Sequence, residues 1–344
     1  MIDQRRYGGH EQISKGAGYA YQSSAKLSIP RPSHLPLPSA SRQQMRYVTL
    51  DVFTPTPFGG NQLAVFPDAT GIPESSLLPI TREFNFSEVT FCYPPADPAN
   101  TRRVRIFTPG GEVPFAGHPT IGTAAALALS EGALPDGSGR FVLELGVGSI
   151  PVEVRVEHPT RAWAEFTVAK LPEIGPQSPT LDTLAEILSL EPKDLIGGSL
   201  SPQAVSCGLP FLLVPLKSLA AVARARVRVD RWEQTLQRFW APMIFVAARD
   251  PEQGPFHWRA RMFAPGISVP EDPATGSAVA AFGGWLAMKE AKGDGAFAWS
   301  IDQGIEMGRP SRLDVSAEKA GGIVTAVRVA GRAVLMSEGS LRAP

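Results

Sequence analysis

From Arg46 onward, apolar and polar positions alternate with period two over short stretches, the pattern of half-buried strands. It predicts strands over 46–53, 63–66, 88–93, 102–107, 141–145, 151–156 and 162–168. A second series is predicted over 211–216, 243–247, 258–263, 297–302, 312–315, 323–329 and 333–336. Helices are predicted after His118 (PTIGTAAALALSEGAL), more weakly over 181–190, and after Asp272 (PATGSAVAAFGGWLAMKEA). Residues 1–44 break the pattern. They are rich in Ser, Gly, Pro and Gln, have no hydrophobic period, and read as a disordered extension or as an over-extended start with Met45 the working first residue. No apolar core of a secretory signal is present in them.

The same series occurs twice. Arg105-Ile106-Phe107-Thr108-Pro109-Gly110-Gly111-Glu112-Val113-Pro114 matches Arg261-Met262-Phe263-Ala264-Pro265-Gly266-Ile267-Ser268-Val269-Pro270, each copy reading Arg-x-Phe-x-Pro-Gly-x-x-Val-Pro. Allowing a two-residue gap, the run His118 to Ala124 then parallels Asp272 to Ala278. Two copies are too few for a solenoid and suit a pair of equivalent lobes. The predicted architecture is α+β, with lobes over 45–168 and 169–344.

Composition narrows the chemistry. Lys plus Arg and Asp plus Glu both number 33, so charge gives no case for nucleic acid or an anionic membrane as partner. No apolar run approaches a membrane span. The two cysteines, Cys92 and Cys207, and the five scattered histidines form no metal spacing, so no metal is expected. A reducing, cytoplasmic compartment fits that cysteine usage. There is no G-x-G-x-x-G and no P-loop.

Each repeat ends in a helix start. Pro119 and Pro273 suit the first helical turn, and His118 and Asp272 are read as equivalent cap positions. Gly122, Thr123, Gly276 and Ser277 keep these turns slim and polar. If both starts point into one cleft, their unpaired N–H groups and dipoles would hold a carboxylate without Lys or Arg. Ordinary capped core helices explain Pro and Asp equally well, but not the histidine. Glu88 opens an apolar strand, where lost hydration would raise its pKa into a useful acid/base range; taken alone, such a Glu is more often a rim charge or a cap partner. Asn61, behind Gly59-Gly60, reads equally as a turn residue or as a cleft wall. Trp232, Phe239 and Trp240 are expected in the core, and Trp163, Trp258 and Trp299 in the sheets.

Four ordered segments carry a resemblance: Asp51-Val52-Phe53 with Phe58 to Asn61, Asn85 to Phe91, Phe107 to Thr120, and Glu271 to Ala278. They resemble the phenazine-biosynthesis PhzF-like isomerase family, which has the diaminopimelate-epimerase-like fold. That fold would make each lobe a mixed β-sheet around a central α-helix. The resemblance spans about residues 46–339. It implies a cofactor-independent isomerase with Glu88 as the proton-transfer group and His118 and Asp272 as polar partners. Asn61, Ser87, the Gly117 backbone, Gly276 and Ser277 would hold a small carboxylated substrate. It also implies a homodimer. Gln62, Phe86 and Val89 depart from the family pattern, and the first two could reshape the pocket. Two other readings stand beside it. A racemase or epimerase of this fold would place one thiol at each helix start, where this chain has none. A binding protein would keep the cleft and do no turnover.

Overall fold

The computed structural model describes residues 44–342, apart from Ala133, Pro135 and Ser268. The expectation of disorder over 1–44 lies outside the described residues except at Gln44, which opens the first strand. The first half of the chain runs β1 (Gln44–Val52), β2 (Asn61–Phe66), α1 (Glu74–Phe84), β3 (Glu88–Tyr93), β4 (Arg102–Thr108), β5 (Gly111–Val113), α2 (Gly117–Glu131), β6 (Ser138–Leu145), β7 (Gly148–His158) and β8 (Arg161–Thr167). It continues through β9 (Glu173–Ile174), α3 (Leu181–Leu188), β10 (Gln203–Ser206), β11 (Pro210–Pro215), α4 (Leu219–Arg224) and α5 (Val229–Thr235). The remainder is β12 (Met243–Arg249), β13 (His257–Ala264), β14 (Val269–Asp272), α6 (Gly276–Lys289), β15 (Gly295–Gln303), β16 (Ser311–Ala320) and β17 (Ile323–Arg342).

Strand pairing explains the repeat. In the first half, β1–β2 is antiparallel, β2–β3 parallel, β3–β4 antiparallel, β4–β6 parallel, and β6–β7–β8 antiparallel. In the second, β10–β11 is antiparallel, β11–β12 parallel, β12–β13 antiparallel, β13–β15 parallel, and β15–β16–β17 antiparallel. The two orders are the same. The fold is α+β with two pseudo-symmetric mixed sheets, the first wrapped around α2 and the second around α6. All of Gly117 to Ala128 is buried, as is nearly all of Gly276 to Ala287. The repeated Arg-x-Phe has a repeated task. Arg105 pairs with Glu112 across β4–β5 and lies over the Phe107 ring, while Arg261 pairs with Glu271 across β13–β14 and lies over Phe263. Each guanidinium locks the turn that leads to a central helix.

The halves exchange strands. β17 pairs with β16 over Asp314↔Ala330 to Ala320↔Ile323, then with β1 from Ala333 to Arg342, closing the first ring. In return, the chain leaving β8 enters the second sheet as β9, which pairs with β10. The lobe limit drawn at 168/169 therefore follows the chain only as far as β16, because β17 belongs to both sheets.

Some elements escape the hydrophobic pattern. α1, with Pro79 inside it, and the short β10, α4 and α5 are not among the predicted elements. Trp232 is buried, but Trp240 is 37 % exposed, against the expectation of core packing. Trp258 and Trp299 fill the second lobe's interior, whereas Trp163 stands half-buried on the outer face of β8 under the Arg155 guanidinium. No helix among the described residues is long and apolar enough to cross a membrane.

Candidate active site

The two central helices meet at their N-terminal ends. α2 starts at Gly117 behind Ala116, and α6 starts at Gly276 behind Thr275. A Cβ on Gly117 would lie 2.8 Å from Gly276 Cα and 3.0 Å from Ser277 N, so only glycine permits this approach. The structural counterpart of His118 is thus Ser277. The expected equivalence of His118 and Asp272 as caps does not hold. His118 and Pro119 lie inside the first turn of α2, while Asp272 ends β14 and Pro273 precedes the cap of α6. The reason is pairing: Asp272 is still held in the sheet opposite Met262, so three residues turn the chain before the helix begins. At both starts first-turn N–H groups lack helical acceptors and face one cavity, an arrangement suited to an anion.

That cavity is about 100 Å³. Seven of the eight residues expected at the site line it: Ser87, Glu88, Gly117, His118, Asp272, Gly276 and Ser277. Thr275 lines it as well, and Phe115, Phe211, Met243 and Met262 supply apolar walls. Asn61 is the exception. It is 2 % exposed and sits behind the cavity, donating from Nδ2 to Asp272 Oδ1 (2.8 Å) and Ala274 O (3.1 Å) and facing His118 Nδ1 at 3.3 Å. Ser87 Oγ donates to Asn61 Oδ1 at 2.9 Å. Its amide is engaged by protein groups on both sides and ties Asp272, His118 and Ser87 together from behind the cavity. The expectation that Gln62 and Phe86 reshape the pocket is also overturned. Gln62 alternates out of β2 into solvent, and Phe86 packs against Phe84 in the outer cluster beneath α1.

The supporting contacts were not read from the sequence. Arg309 donates to the carbonyls of Gly59 and Gly60 and to Asp51, whose other oxygen accepts the Phe58 N–H at 2.7 Å; together they pin the loop that presents Asn61. Gln303, fully buried, donates to Asp272 O (2.7 Å) and Thr275 Oγ1 (3.0 Å) and accepts from Thr275 N (3.1 Å). Thr275 Oγ1 in turn donates to Asp272 Oδ2. Thr275 and Asp51 fall inside the quoted motifs and could have been singled out there. Nothing in sequence marks Gln303 or Arg309, because each acts on backbone far away along the chain.

Electrostatics separates the three titratable groups. His118 Nε2 and Glu88 Oε2 face each other at 3.5 Å, and neither atom has a hydrogen-bond partner among the described residues. Buried polar atoms are seldom left so, and exceptions cluster where a ligand or a reaction uses them. Burial pushes the Glu88 carboxyl well above its usual range, the charge of Asp272 adds to the rise, and the Ser87 hydroxyl opposes it. Burial also raises Asp272, but hydrogen bonds from Thr275 and Asn61 hold it back. Of the two neighbouring carboxyls, Asp272 is therefore the one that carries charge and Glu88 the one that keeps a proton. Burial pushes His118 down to about 3, so its ring is neutral at ordinary pH. Among the described residues no group of three or more His, Cys, Asp or Glu side chains is placed to hold a metal ion. The Cys92 and Cys207 thiols are buried and pushed up to about 12, and neither lines the cavity.

Known proteins resemble this chain over most of its length. An uncharacterised isomerase of Mesorhizobium japonicum is 38% identical, the alignment covering 87% of this chain and 99% of that protein. The trans-2,3-dihydro-3-hydroxyanthranilate isomerase of Pseudomonas aeruginosa is 34% identical over 86% of this chain and 98% of its own length. Among solved structures, a PhzF-family phenazine biosynthesis protein of Bacillus anthracis superposes with a TM-score of 0.77 at 25% identity, over 87% and 99% of the two chains. A hydroxyproline epimerase from Agrobacterium vitis, at 13% identity and a TM-score of 0.56 over 87% and 91% of the chains, shares the fold. The sequence profile described as phenazine biosynthesis-like protein matches residues 50–339. This chain belongs to that PhzC-PhzF family.

Proposed function

We propose that the protein is an isomerase that moves a proton between two carbons of a small carboxylated substrate, with Glu88 as the group that carries it. One observation bears most of the weight: the unpartnered Glu88 Oε2 and His118 Nε2, buried and facing each other beside the paired helix starts. A carboxyl whose pKa is raised by burial can both give and take a proton near neutral pH. In the proposed step protonated Glu88 gives its proton to one carbon as a new C–H bond forms, the double bond shifts along the substrate, and the carboxylate so formed takes a proton back as a C–H bond at another carbon breaks. Glu88 ends as it began, so atoms and electrons balance. The substrate carboxylate would lie against the N–H groups of Gly117, Gly276 and Ser277, which also face negative charge as it develops. Neutral His118 and charged Asp272 would keep the relay at one place. Relatives named as isomerases support the reaction class. The racemase reading loses ground because His118 and Ser277 stand where a thiol pair would act, and both thiols are buried elsewhere.

Incubation with a panel of unsaturated carboxylates, trans-2,3-dihydro-3-hydroxyanthranilate among them, in heavy water, followed by proton NMR, tests the proposal. The expected result is double-bond migration with deuterium entering a carbon position, lost in Glu88→Gln. Tight binding of this and related carboxylates with no exchange at any carbon would instead favour a binding protein. The proposal includes assembly as a homodimer, for which light scattering behind a sizing column should give about twice the chain mass of 36.8 kDa.

A further inference from the structure

The cavity beside Glu88 is small. At about 100 Å³ it has room for roughly three water-sized volumes of ~30 Å³ each, enough for a carboxylate and a few carbons. A second cavity, of about 150 Å³, lies directly beyond it. Phe115 and Leu209 line both, so they are the partition between the two spaces. The far walls are Pro114, Val147, Ala169 and Cys207, with Lys170 the one charged residue in the lining. An apolar cavity of roughly 150 Å³ is known to be large enough for a benzene-sized ring.

Chain topology adds to the case. The second cavity is built from the loop between β5 and α2, the β6–β7 turn, the crossover from β8 to β9, and the β10–β11 turn. It thus sits where loops of both halves converge, on the same face as the meeting helix starts. Apart from Lys170 the lining side chains carry no charge and are mostly apolar, so an apolar ring would gain from leaving water there. Lys170 and Ala169 are exposed, which places them at the mouth of the cavity.

We propose that the second cavity is a subsite for an apolar, ring-sized tail of the same substrate whose carboxylate and reacting carbons occupy the first, with the tail passing between Phe115 and Leu209. The substrate class is then a carboxylate with a bulky hydrophobic substituent a few bonds away, larger than the first cavity alone admits. The inference rests on the carboxylate reading of the first cavity.

Ligand-observed NMR titration with butanoate and 4-phenylbutanoate separates the two parts. The intact protein is expected to bind 4-phenylbutanoate at least tenfold more tightly than butanoate. Val147→Trp and Ala169→Trp fill the second cavity from exposed positions that do not line the first. Each should abolish the tenfold advantage and leave butanoate binding unchanged. The subsite is overturned if the intact protein shows no advantage, including the case in which neither probe binds, or if the advantage survives in both variants. Should 4-phenylbutanoate bind in a Val147→Trp-sensitive manner while butanoate competes for nothing, the second cavity is supported and the carboxylate reading of the first is lost.

Discussion

At the scale of single residues, burial sets the chemistry. Glu88 is held protonated by lost hydration, so the folded state binds its proton more tightly than the unfolded chain does. Its contribution to stability is complete below the ordinary carboxylate pKa of 4.5 and is lost as pH rises toward its raised folded value. His118 works in the opposite direction. Its folded pKa of about 3 lies below the ordinary 6.5, so its contribution is complete above 6.5 and is lost as pH falls toward 3. Glu88→Gln should therefore flatten the fall in melting temperature on the alkaline side, and His118→Gln should flatten it on the acid side. Thermal melts of the three proteins between pH 4 and 9 would show it. A variant that keeps the wild-type slope on its own side would contradict the assigned burial cost. The same Glu88→Gln change should lower carbon-bound exchange by about 10²–10⁴-fold, the usual worth of a positioned acid/base. Substrate binding should stay nearly intact, since the carboxylate grip lies on other atoms.

At the scale of elements, the contact between α2 and α6 decides how well the site is formed. Gly117→Ala would gain up to about 1 kcal/mol of helix propensity. That gain is outweighed, because the new methyl would meet backbone of Gly276 and Ser277 at 2.8–3.0 Å, and backbone cannot turn aside as a side chain can. A net loss of about 1–3 kcal/mol is expected from such overpacking, measured as a shift of the urea midpoint, with turnover falling further because the two anion-facing N–H groups separate. Equal stability with full turnover would show that the close approach is dispensable. These elements were largely visible beforehand. Period two located β3 to the residue and β8 to within one, and both central helices overlap the helical runs predicted after His118 and after Asp272. The register between them was not visible. Aligning His118 with Asp272 put the repeat out of step, since only pairing with Met262 reveals that Asp272 still belongs to a strand. Likewise, nothing local marked Asn61 as a bridge: its four partners come from the residue before β3, α2, β14 and the turn before α6.

At the scale of the whole molecule, the exchanged strands bind both halves into one folding unit. The first ring is completed only when β17 arrives from the far end of the chain, and its buried Val329 and Ala333 pack inside the shared interior. Removing residues 330–344 would expose the paired edges of β1 and β8, and two open edges carrying unpaired backbone groups invite association between copies. It would also uncover α2, which has no polar face to present to water. The shortened chain is therefore expected to lose its cooperative melting transition and to aggregate, where the intact chain should melt in a single step. The stronger version concerns the site. Because the start of α2 is positioned by the first ring and the start of α6 by the second, opening one ring should abolish carboxylate binding even though Asp272, Gly276 and Ser277 lie entirely in the other. Circular dichroism melts and a 4-phenylbutanoate titration on the shortened chain measure both effects. A truncated protein that still melts cooperatively and binds the probe would mean that the strand exchange is decorative, and that each lobe holds its helix start without help from the other.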